Sequence, residues 1–235
     1  SNRFVIRLRE VVGDLDELEG RLNLIKQGGV PNYYGQQRFG INGNNLHHGK
    51  GFVLKGRQSR RKLPKTESFW LSAIRSWCFN EALSDQVENG MWSRLCDGDI
   101  AQFQHKHEQF RVKEIGALMH LNVMRGEISP VLPLISEGWE AGTGPLREAA
   151  IKSSLTESMD LVNALIAFDL SRDSRLARLV PMNMAWELLR DNEGSAQLIV
   201  EFSLPKGCFA TSVLREMIDF TDKSAEKHHE SIDRQ

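Results

Sequence analysis

The chain has 235 residues, a formal net charge of −1, 40% hydrophobic residues and 26% charged residues. This composition is typical of a soluble globular protein, and the length allows one large domain or two small ones. The balance of charge gives no indication of a polyanionic partner, so only a local cluster of cations can provide one.

The cysteines and the hydropathy of the chain indicate which cellular compartment to expect. The three cysteines, Cys78, Cys96 and Cys208, are far apart and form no CxxC pair. We therefore predict no disulfide framework and expect a reducing, cytoplasmic setting. No apolar run approaches the ~20 residues of a membrane span, and no signal peptide pattern opens the chain, so no membrane partner is expected.

The chain opens directly on a predicted strand. Over residues 4–11 apolar and charged residues alternate, which predicts a half-buried strand with Phe4, Ile6 and Leu8 on one side. The first residue is Ser1 rather than Met, and no lead-in precedes the strand. We therefore expect a domain that is truncated at this end.

A helix is predicted after this strand. Asp14 and Glu17 resemble a capping box, and Gly28 and Gly29 would end the helix. Its apolar face would carry Leu15, Leu18, Leu22 and Ile25.

Residues 29–40 have the most unusual composition in the chain. They contain three glycines, one proline, three aromatic residues, three side-chain amides and Arg38, but no carboxylate. The glycines and Pro31 predict a rigid loop rather than a helix or strand. Aromatic and arginine side chains in such a loop can stack on bases and donate to phosphates, and a purely structural turn is the alternative.

A basic stretch follows at residues 47–65, which contain seven cations and no acidic residue. These cations are Lys50, Lys55, Arg57, Arg60, Arg61, Lys62 and Lys65. Such a cluster attracts phosphates and releases counterions when it binds them. Because it follows an aromatic, amide-rich loop, we predict RNA contact, with a solvated charged loop as the alternative.

Thr66 is predicted to cap the next helix, whose apolar stripe would carry Phe69, Ala73, Trp77 and Leu83. Residues 90–144 are interrupted by glycines and prolines, which predicts short strands and turns with one short helix near residues 115–122. A longer helix is predicted over residues 146–168.

The end of the chain carries the clearest strand pattern. Residues 180–188 and 198–204 alternate on either side of a predicted turn at 191–194, which indicates an antiparallel hairpin. A helix over residues 211–220 is predicted next. Residues 222–235 contain almost no apolar side chain, which predicts a disordered tail.

Metal and nucleophile chemistry find little support in the sequence. Asp97 and Asp99 precede His105 and His107, which are ligand types that suit divalent ions. However, Asp-Gly-Asp is a common turn sequence, so we predict a turn and no metal site. Cys208 lies between a strand end and a helix start, and we predict a buried structural cysteine rather than a nucleophile.

Five motifs stand in order along the chain. They read S-N-R-F at residues 1–4, G-V-P-N-Y-Y-G-Q-Q-R-F-G at 29–40, S-F-W-L-S-A-I-R-S at 68–76, D-G-D at 97–99 and P-K-G-C-F-A-T-S-V-L-R-E at 205–216. Together they resemble the motifs of the TruD family of tRNA pseudouridine synthases. Two positions depart from that family, which has glycine in place of Ser1 and usually Phe in place of Tyr34.

The resemblance implies an α+β fold, in which a partial pseudouridine synthase catalytic domain with an antiparallel mixed sheet is interrupted by a TruD-type insertion domain. The catalytic domain would comprise residues 1–28 and 179–221, and the insertion domain residues 29–178. Antiparallel strands at both ends of the chain, with mostly helix between them, agree with this division.

The activity implied by the resemblance is the isomerisation of uridine to pseudouridine at position 13 of tRNA, without cofactor or metal. Asn2 and Phe4 would line the uridine pocket, with Phe4 packed on a target base that has to be flipped out of its helix. An ordinary strand core residue is the alternative for Phe4. Arg38 and the basic stretch would contact the RNA.

The family's reaction depends on an aspartate in a K-D-x-x-A-x-T-x-Q motif. No aspartate of this chain follows a lysine. We therefore predict that the chain contains no catalytic residue and is a fragment without turnover of its own. In other pseudouridine synthase families, an arginine stands a few residues after a Lys-Gly pair near the end of the chain. The resemblance matches that pair to Lys206 and Gly207, and Thr211 occupies the position of the arginine in this chain.

Two other classes of function stay open at this point. The first is a non-catalytic RNA-binding protein that uses the same basic and aromatic surfaces. The second is a protein-interaction module whose basic charge is incidental.

Overall fold

The computed structural model describes residues 1–56, 63–104, 106–190 and 196–221. These residues form a mixed α+β fold with antiparallel sheets and helices, which confirms the predicted fold class. The strands are β1 (Asn2–Val11), β2 (Val30–Pro31), β3 (Ile100–Phe103), β4 (Gln109–Arg111), β5 (Ile128–Leu134), β6 (Asp173–Leu176), β7 (Arg178–Leu179), β8 (Met182–Arg190) and β9 (Ala196–Leu204). The α-helices are α1 (Leu15–Gly28), α2 (Asn44–Leu54), α3 (Lys65–Glu88), α4 (Ala117–Met124), α5 (Pro145–Ser154), α6 (Met159–Ile166) and α7 (Ala210–Leu214).

The first and last strands of the chain share one sheet. Its order is β1-β9-β8, and both pairings are antiparallel. Phe4 lies opposite Phe202, and Val11 lies opposite Ala196. The predicted first strand and the predicted hairpin are thus confirmed, while the turn at residues 191–194 lies outside the described residues. A second sheet has the order β4-β3-β5-β6, and β2 pairs with β7 alone.

Helix α1 confirms the predicted cap. The Asp14 carboxylate accepts hydrogen bonds from the backbone N–H groups of Asp16 and Glu17, at 2.9 and 3.1 Å. These bonds satisfy donors that the first turn of a helix leaves without partners. Leu22, at the centre of the predicted apolar face, is fully buried against the β1-β9-β8 sheet.

The prediction that residues 29–40 contain neither strand nor helix is wrong in part. Val30 and Pro31 pair with β7, and Gln36–Phe39 forms a 3-10 helix. Gly29 makes the close approach possible, because its φ is +73° and a Cβ there would lie 2.5 Å from the carbonyl oxygen of Leu179.

Helix α3 departs from the prediction at its start and on its apolar face. Thr66 is not the cap, because the helix begins at Lys65 and Pro64 is its N-cap. Pro64 has an extended backbone and no side-chain donor or acceptor, and its carbonyl accepts the first intrahelical bond, from the N–H of Ser68 at 3.0 Å. Of the predicted stripe, Ala73 and Leu83 are fully buried and Trp77 packs partly buried against the core, but Phe69 is 60% exposed.

The predicted helix over residues 146–168 is interrupted. Helices α5 and α6 are separated at Leu155 and by a 3-10 helix at Thr156–Ser158. The hydroxyl groups of Ser154 and Thr156 donate to backbone carbonyls of the preceding turn, which competes with helix continuation. The predicted C-terminal helix is also shorter than expected, because α7 ends at Leu214. The tail, residues 222–235, lies outside the described residues.

Buried side chains form three clusters. The first packs α3, α5 and α6 on β5 and includes Leu83 and Leu165. The second lies on the β1-β9-β8 sheet under α1 and α7 and includes Leu22 and Phe202. The third is small and joins β3 to α4, whose position agrees with the predicted short helix near residues 115–122. Within the described part of the chain, no helix has both the length and the apolar character that crossing a membrane requires.

Candidate nucleic-acid interface

The two candidate pocket residues, Asn2 and Phe4, lie at the start of β1. Asn2 is exposed and pairs with Leu204, the last residue of β9. Phe4 is half-buried, and its ring lies 5.7 Å from that of Phe202, tilted by 33°. One part of the Phe4 ring therefore contributes to the core while another part reaches the surface.

The loop of residues 29–40 meets the same end of this sheet. After β9 the chain turns through Gly207 and reaches Phe209, and a Cβ on Gly35 would lie 2.8 Å from the Phe209 ring. The hydroxyl of Ser212, on α7, donates to the carbonyl of Tyr33 at 3.0 Å. The loop is thus held against the segment that follows β9.

Arg175, on β6, ties these segments to one another. Its guanidinium donates to the carbonyl of Asn32 at 2.9 Å, to the side-chain oxygen of Asn32 at 2.6 Å and to the carbonyl of Gly207 at 2.8 Å. The guanidinium carbon also lies 4.2 Å from the centre of the Tyr34 ring. Burial lowers the pKa of Arg175. No motif in the sequence marks Arg175, and its partners lie far away along the chain.

Arg38, a predicted RNA contact, is half-buried at the other side of the loop. Its Nε donates to the Ser76 hydroxyl on α3 at 3.1 Å, and its guanidinium lies 5.3 Å from the Tyr34 ring. The N–H and the carbonyl of Tyr34 both bond the side chain of Asn80, also on α3. The loop thus braces α3 against the β9 end, and RNA contact by Arg38 remains a prediction.

The structure describes only part of the basic stretch at residues 47–65. Lys50, on α2, and Lys55, just after it, are exposed. The Nζ of Lys50 lies 4.8 Å from the centre of the Trp77 ring on α3. The remaining predicted RNA contacts, Arg57, Arg60, Arg61 and Lys62, lie outside the described residues.

The Asp-Gly-Asp motif forms a turn, as predicted. Gly98 has a φ of +85°, and Asp99 is fully buried in an ion pair with Arg147, with 2.7 Å between Oδ2 and Nη2. Because this carboxylate already neutralises a buried cation, its role is structural. The described residues include no group of three or more His, Cys, Asp or Glu side chains that could hold a metal ion, and His105 lies outside them.

Cys208 does not have the environment of a nucleophile. Burial raises the pKa of its thiol, and the nearby Arg175 guanidinium opposes that shift only partly. The thiol is therefore protonated at neutral pH, in agreement with the predicted structural role. Thr211, in the slot where other families have an arginine, is exposed.

Comparison with solved structures identifies the fold class. The chain superimposes on the crystal structure of a putative tRNA pseudouridine synthase D from Methanosarcina mazei with a TM-score of 0.66 and 19% sequence identity. The match covers 93% of this chain and 69% of the other. At 19% identity, this structural similarity shows only that the two chains share a fold.

Sequence comparison then gives the family. The model of the tRNA pseudouridine synthase D (TruD) family matches residues 1–60 and 56–217. The chain is 34% identical to the tRNA pseudouridine synthase D of Hydrogenovibrio crunogenus over 231 residues and 36% identical to that of Aeromonas hydrophila over 219 residues. The chain therefore belongs to the TruD family. These alignments cover 93% of the chain but only 61% and 59% of the two relatives, so the chain spans about three fifths of their length.

Proposed function

We propose that this chain is part of a cytoplasmic tRNA pseudouridine synthase that isomerises uridine, at position 13 of tRNA, to pseudouridine. The observation that carries the proposal is the family match, which extends from the first residue to Glu216 and Met217 and includes every motif discussed above. The names of the relatives support the same enzyme class and a tRNA substrate.

The chain would comprise parts of two domains with different roles. Residues 1–28 and 179–221 would belong to the catalytic domain, where Asn2 and Phe4 line the uridine pocket. Residues 29–178 would form an insertion domain. The half-exposed Phe4 ring supports the pocket role, because a flipped base needs an accessible aromatic or apolar face on which to stack.

RNA contact would come from the basic surface and from the loop. Lys50 and Lys55 project into solvent, and the chain between α2 and α3 adds four further cations in sequence. Neutralising phosphates with such side chains makes binding strongly dependent on salt. Changing Arg57, Arg60, Arg61 and Lys62 together to alanine should therefore weaken tRNA binding and flatten its salt dependence, and unchanged binding would exclude this surface.

The nucleophilic aspartate would lie in the part of the relatives that this chain does not span. The experiment joins the corresponding N-terminal part of the Hydrogenovibrio relative to residue 1 and measures pseudouridine in unmodified tRNA after incubation. We expect turnover by the joined protein and none by the chain alone.

A control for this experiment replaces the aspartate of the K-D-x-x-A-x-T-x-Q motif with asparagine in the joined protein and should abolish turnover. If the joined protein folds and binds tRNA but forms no pseudouridine, the enzyme proposal fails. The non-catalytic RNA-binding alternative would then account for the binding.

A further inference from the structure

An aromatic ladder connects the buried core to the surface between α2 and α3. The ring of Phe168, which is only 2% exposed, lies 5.4 Å from that of Phe52 on α2. Phe52 lies 5.9 Å from Trp70 on α3, and Trp70 lies 5.4 Å from His48, tilted by 31°. His48 is one helical turn before Phe52 and is exposed. The ring of the neighbouring His47, also exposed, meets the His48 ring edge-on at 5.6 Å, so the ladder ends in two histidine rings at the protein surface.

The backbone next to His48 is fixed by close packing of the two helices. Gly49 is buried, and a Cβ on it would lie 2.8 Å from the carbonyl oxygen of Trp70. The backbones of α2 and α3 therefore approach one another directly beside His48. A ring held in this way loses little conformational freedom when a ligand stacks on it, which favours binding.

Cations accompany the ladder. Helix α2 contains no carboxylate, and it carries Lys50 two residues after His48, while Lys55 follows its end. Both lysines are exposed. Helix α3 carries four acidic residues, which are Glu67, three residues before Trp70, and Glu81, Asp85 and Glu88 in its second half. The α2 side of the surface is thus purely basic and suits a phosphate backbone.

We propose that His48, supported by Trp70, stacks on an unpaired base of the RNA while Lys50 and Lys55 contact neighbouring phosphates. An aromatic platform beside cations is the combination that binds single-stranded nucleic acid with little sequence preference, because every base has a π face. The proposal rests on the proposed tRNA substrate. It adds a second contact, on α2, to the uridine pocket at the start of β1.

The test compares His48→Ala with His120→Ala in the full chain. His120 is an exposed histidine on helix α4, so its replacement removes the same side chain from a different surface. We expect His48→Ala to weaken binding of unmodified tRNA about fivefold or more, since a stacked base contributes at least ~1 kcal/mol. His120→Ala should leave the affinity unchanged, and His48→Tyr, which keeps a flat ring, should restore most of the binding.

Two further measurements separate stacking from charge. The slope of affinity against salt should be unchanged in His48→Ala and should fall by about one in Lys50→Ala, because only the lysine contacts a phosphate. His48→Ala should also weaken binding of a short single-stranded RNA but not of the same RNA in a duplex. Equal urea midpoints for all variants show that the fold is intact.

Each outcome of this experiment decides the proposal. If the wild-type chain binds tRNA but His48→Ala behaves like His120→Ala, the stacking site is wrong and the proposed function stands. The same holds if His48→Tyr fails to restore binding while the salt slope falls, because His48 would then act only through charge. If the wild-type chain binds no RNA at all, the stacking site is wrong, whereas the proposed function is decided separately by turnover of the joined protein.

Discussion

Asp99 and Arg147 form an ion pair whose side chains are both fully buried. Arg147 also donates to the side chain of Gln86 at 2.6 Å and to the carbonyl of Arg94 at 2.8 Å. Asp99→Asn would leave the guanidinium buried without its counter-charge. We expect a loss of about 3–5 kcal/mol in the free energy of unfolding, measured by urea denaturation.

The same turn offers a matched control. Asp97 is two residues earlier and exposed, so Asp97→Asn removes a carboxylate without leaving a buried cation unpaired. We expect it to change stability by no more than ~0.5 kcal/mol. Equal effects of the two substitutions would show that the buried pair is not the source of the stability.

The thiol of Cys78 should make stability depend on pH in the alkaline range. Burial raises the pKa of Cys78 to about 12, from an ordinary value of 9.0. At a pH between these values the folded state holds the proton and the unfolded state releases it. Stability is therefore fully present below about pH 9 and falls as the pH rises towards 12.

This dependence is measured as urea midpoints from pH 8 upward for the wild-type chain and for Cys78→Ala. The variant should lose less stability per pH unit than the wild-type chain, although Tyr33, whose pKa burial also raises, contributes in the same direction in both. Parallel curves for the two proteins would contradict a strongly raised Cys78 pKa.

At the scale of elements, two glycines of α2 should respond in opposite ways to alanine. Gly51 is exposed and has no atom within 4 Å of a Cβ position, so Gly51→Ala should stabilise the helix by up to ~1 kcal/mol. At Gly49 the Cβ would meet the Trp70 carbonyl at 2.8 Å and Ile74 at 2.9 Å. Gly49→Ala should therefore destabilise the protein by about 1–3 kcal/mol.

Thermal unfolding of both variants checks this prediction, because each carries the same chemical change in the same helix. The intrinsic helix propensity is identical for the two, so the difference between them measures the contact of α2 with α3. If Gly49→Ala were as stable as Gly51→Ala, the close approach beneath His48 would be wrong.

The elements that the sequence predicts correctly are those with a local and repeated signal. Strand β1 and the hairpin alternate with a period of two, and the Asp14 cap depends only on the next three residues. The helix over residues 146–168 was wrong because its interruption depends on hydroxyl groups near Leu155 whose choice of partner is not visible in a periodic pattern. The prediction that Thr66 caps α3 was also wrong, because Pro64 occupies the N-cap position of this helix.

The whole molecule depends on contacts between residues that are distant in sequence, and here the sequence is least informative. For residues 29–40 the sequence left two roles open, contact with RNA or a purely structural turn. The hydrogen bonds of Tyr33, Tyr34 and Arg38 support a structural role, because they join the loop to α3 and α7. The central residue of the junction, the half-buried Arg175, carries no motif, because an arginine that donates to several carbonyls is recognisable only once these partners are placed around it.

Arg175 gives a prediction at this largest scale. It connects Asn32, in the loop, to Gly207, after β9, while itself lying on β6. Arg175→Lys keeps the charge but cannot reproduce several donors in one plane, so all these contacts should weaken together. We expect faster amide hydrogen exchange in both residues 30–35 and residues 205–212, together with a loss of about 2–4 kcal/mol in stability.

The control is Arg172→Lys. Arg172 is exposed and, among the residues that the structure describes, donates to one carbonyl, that of Glu137 at 3.2 Å, so its replacement should leave exchange in both segments unchanged. Acceleration in only one of the two segments would mean that Arg175 stabilises that segment without joining it to the other. Acceleration in both segments is the result that a junction at Arg175 requires, because this side chain donates to a carbonyl in each of them.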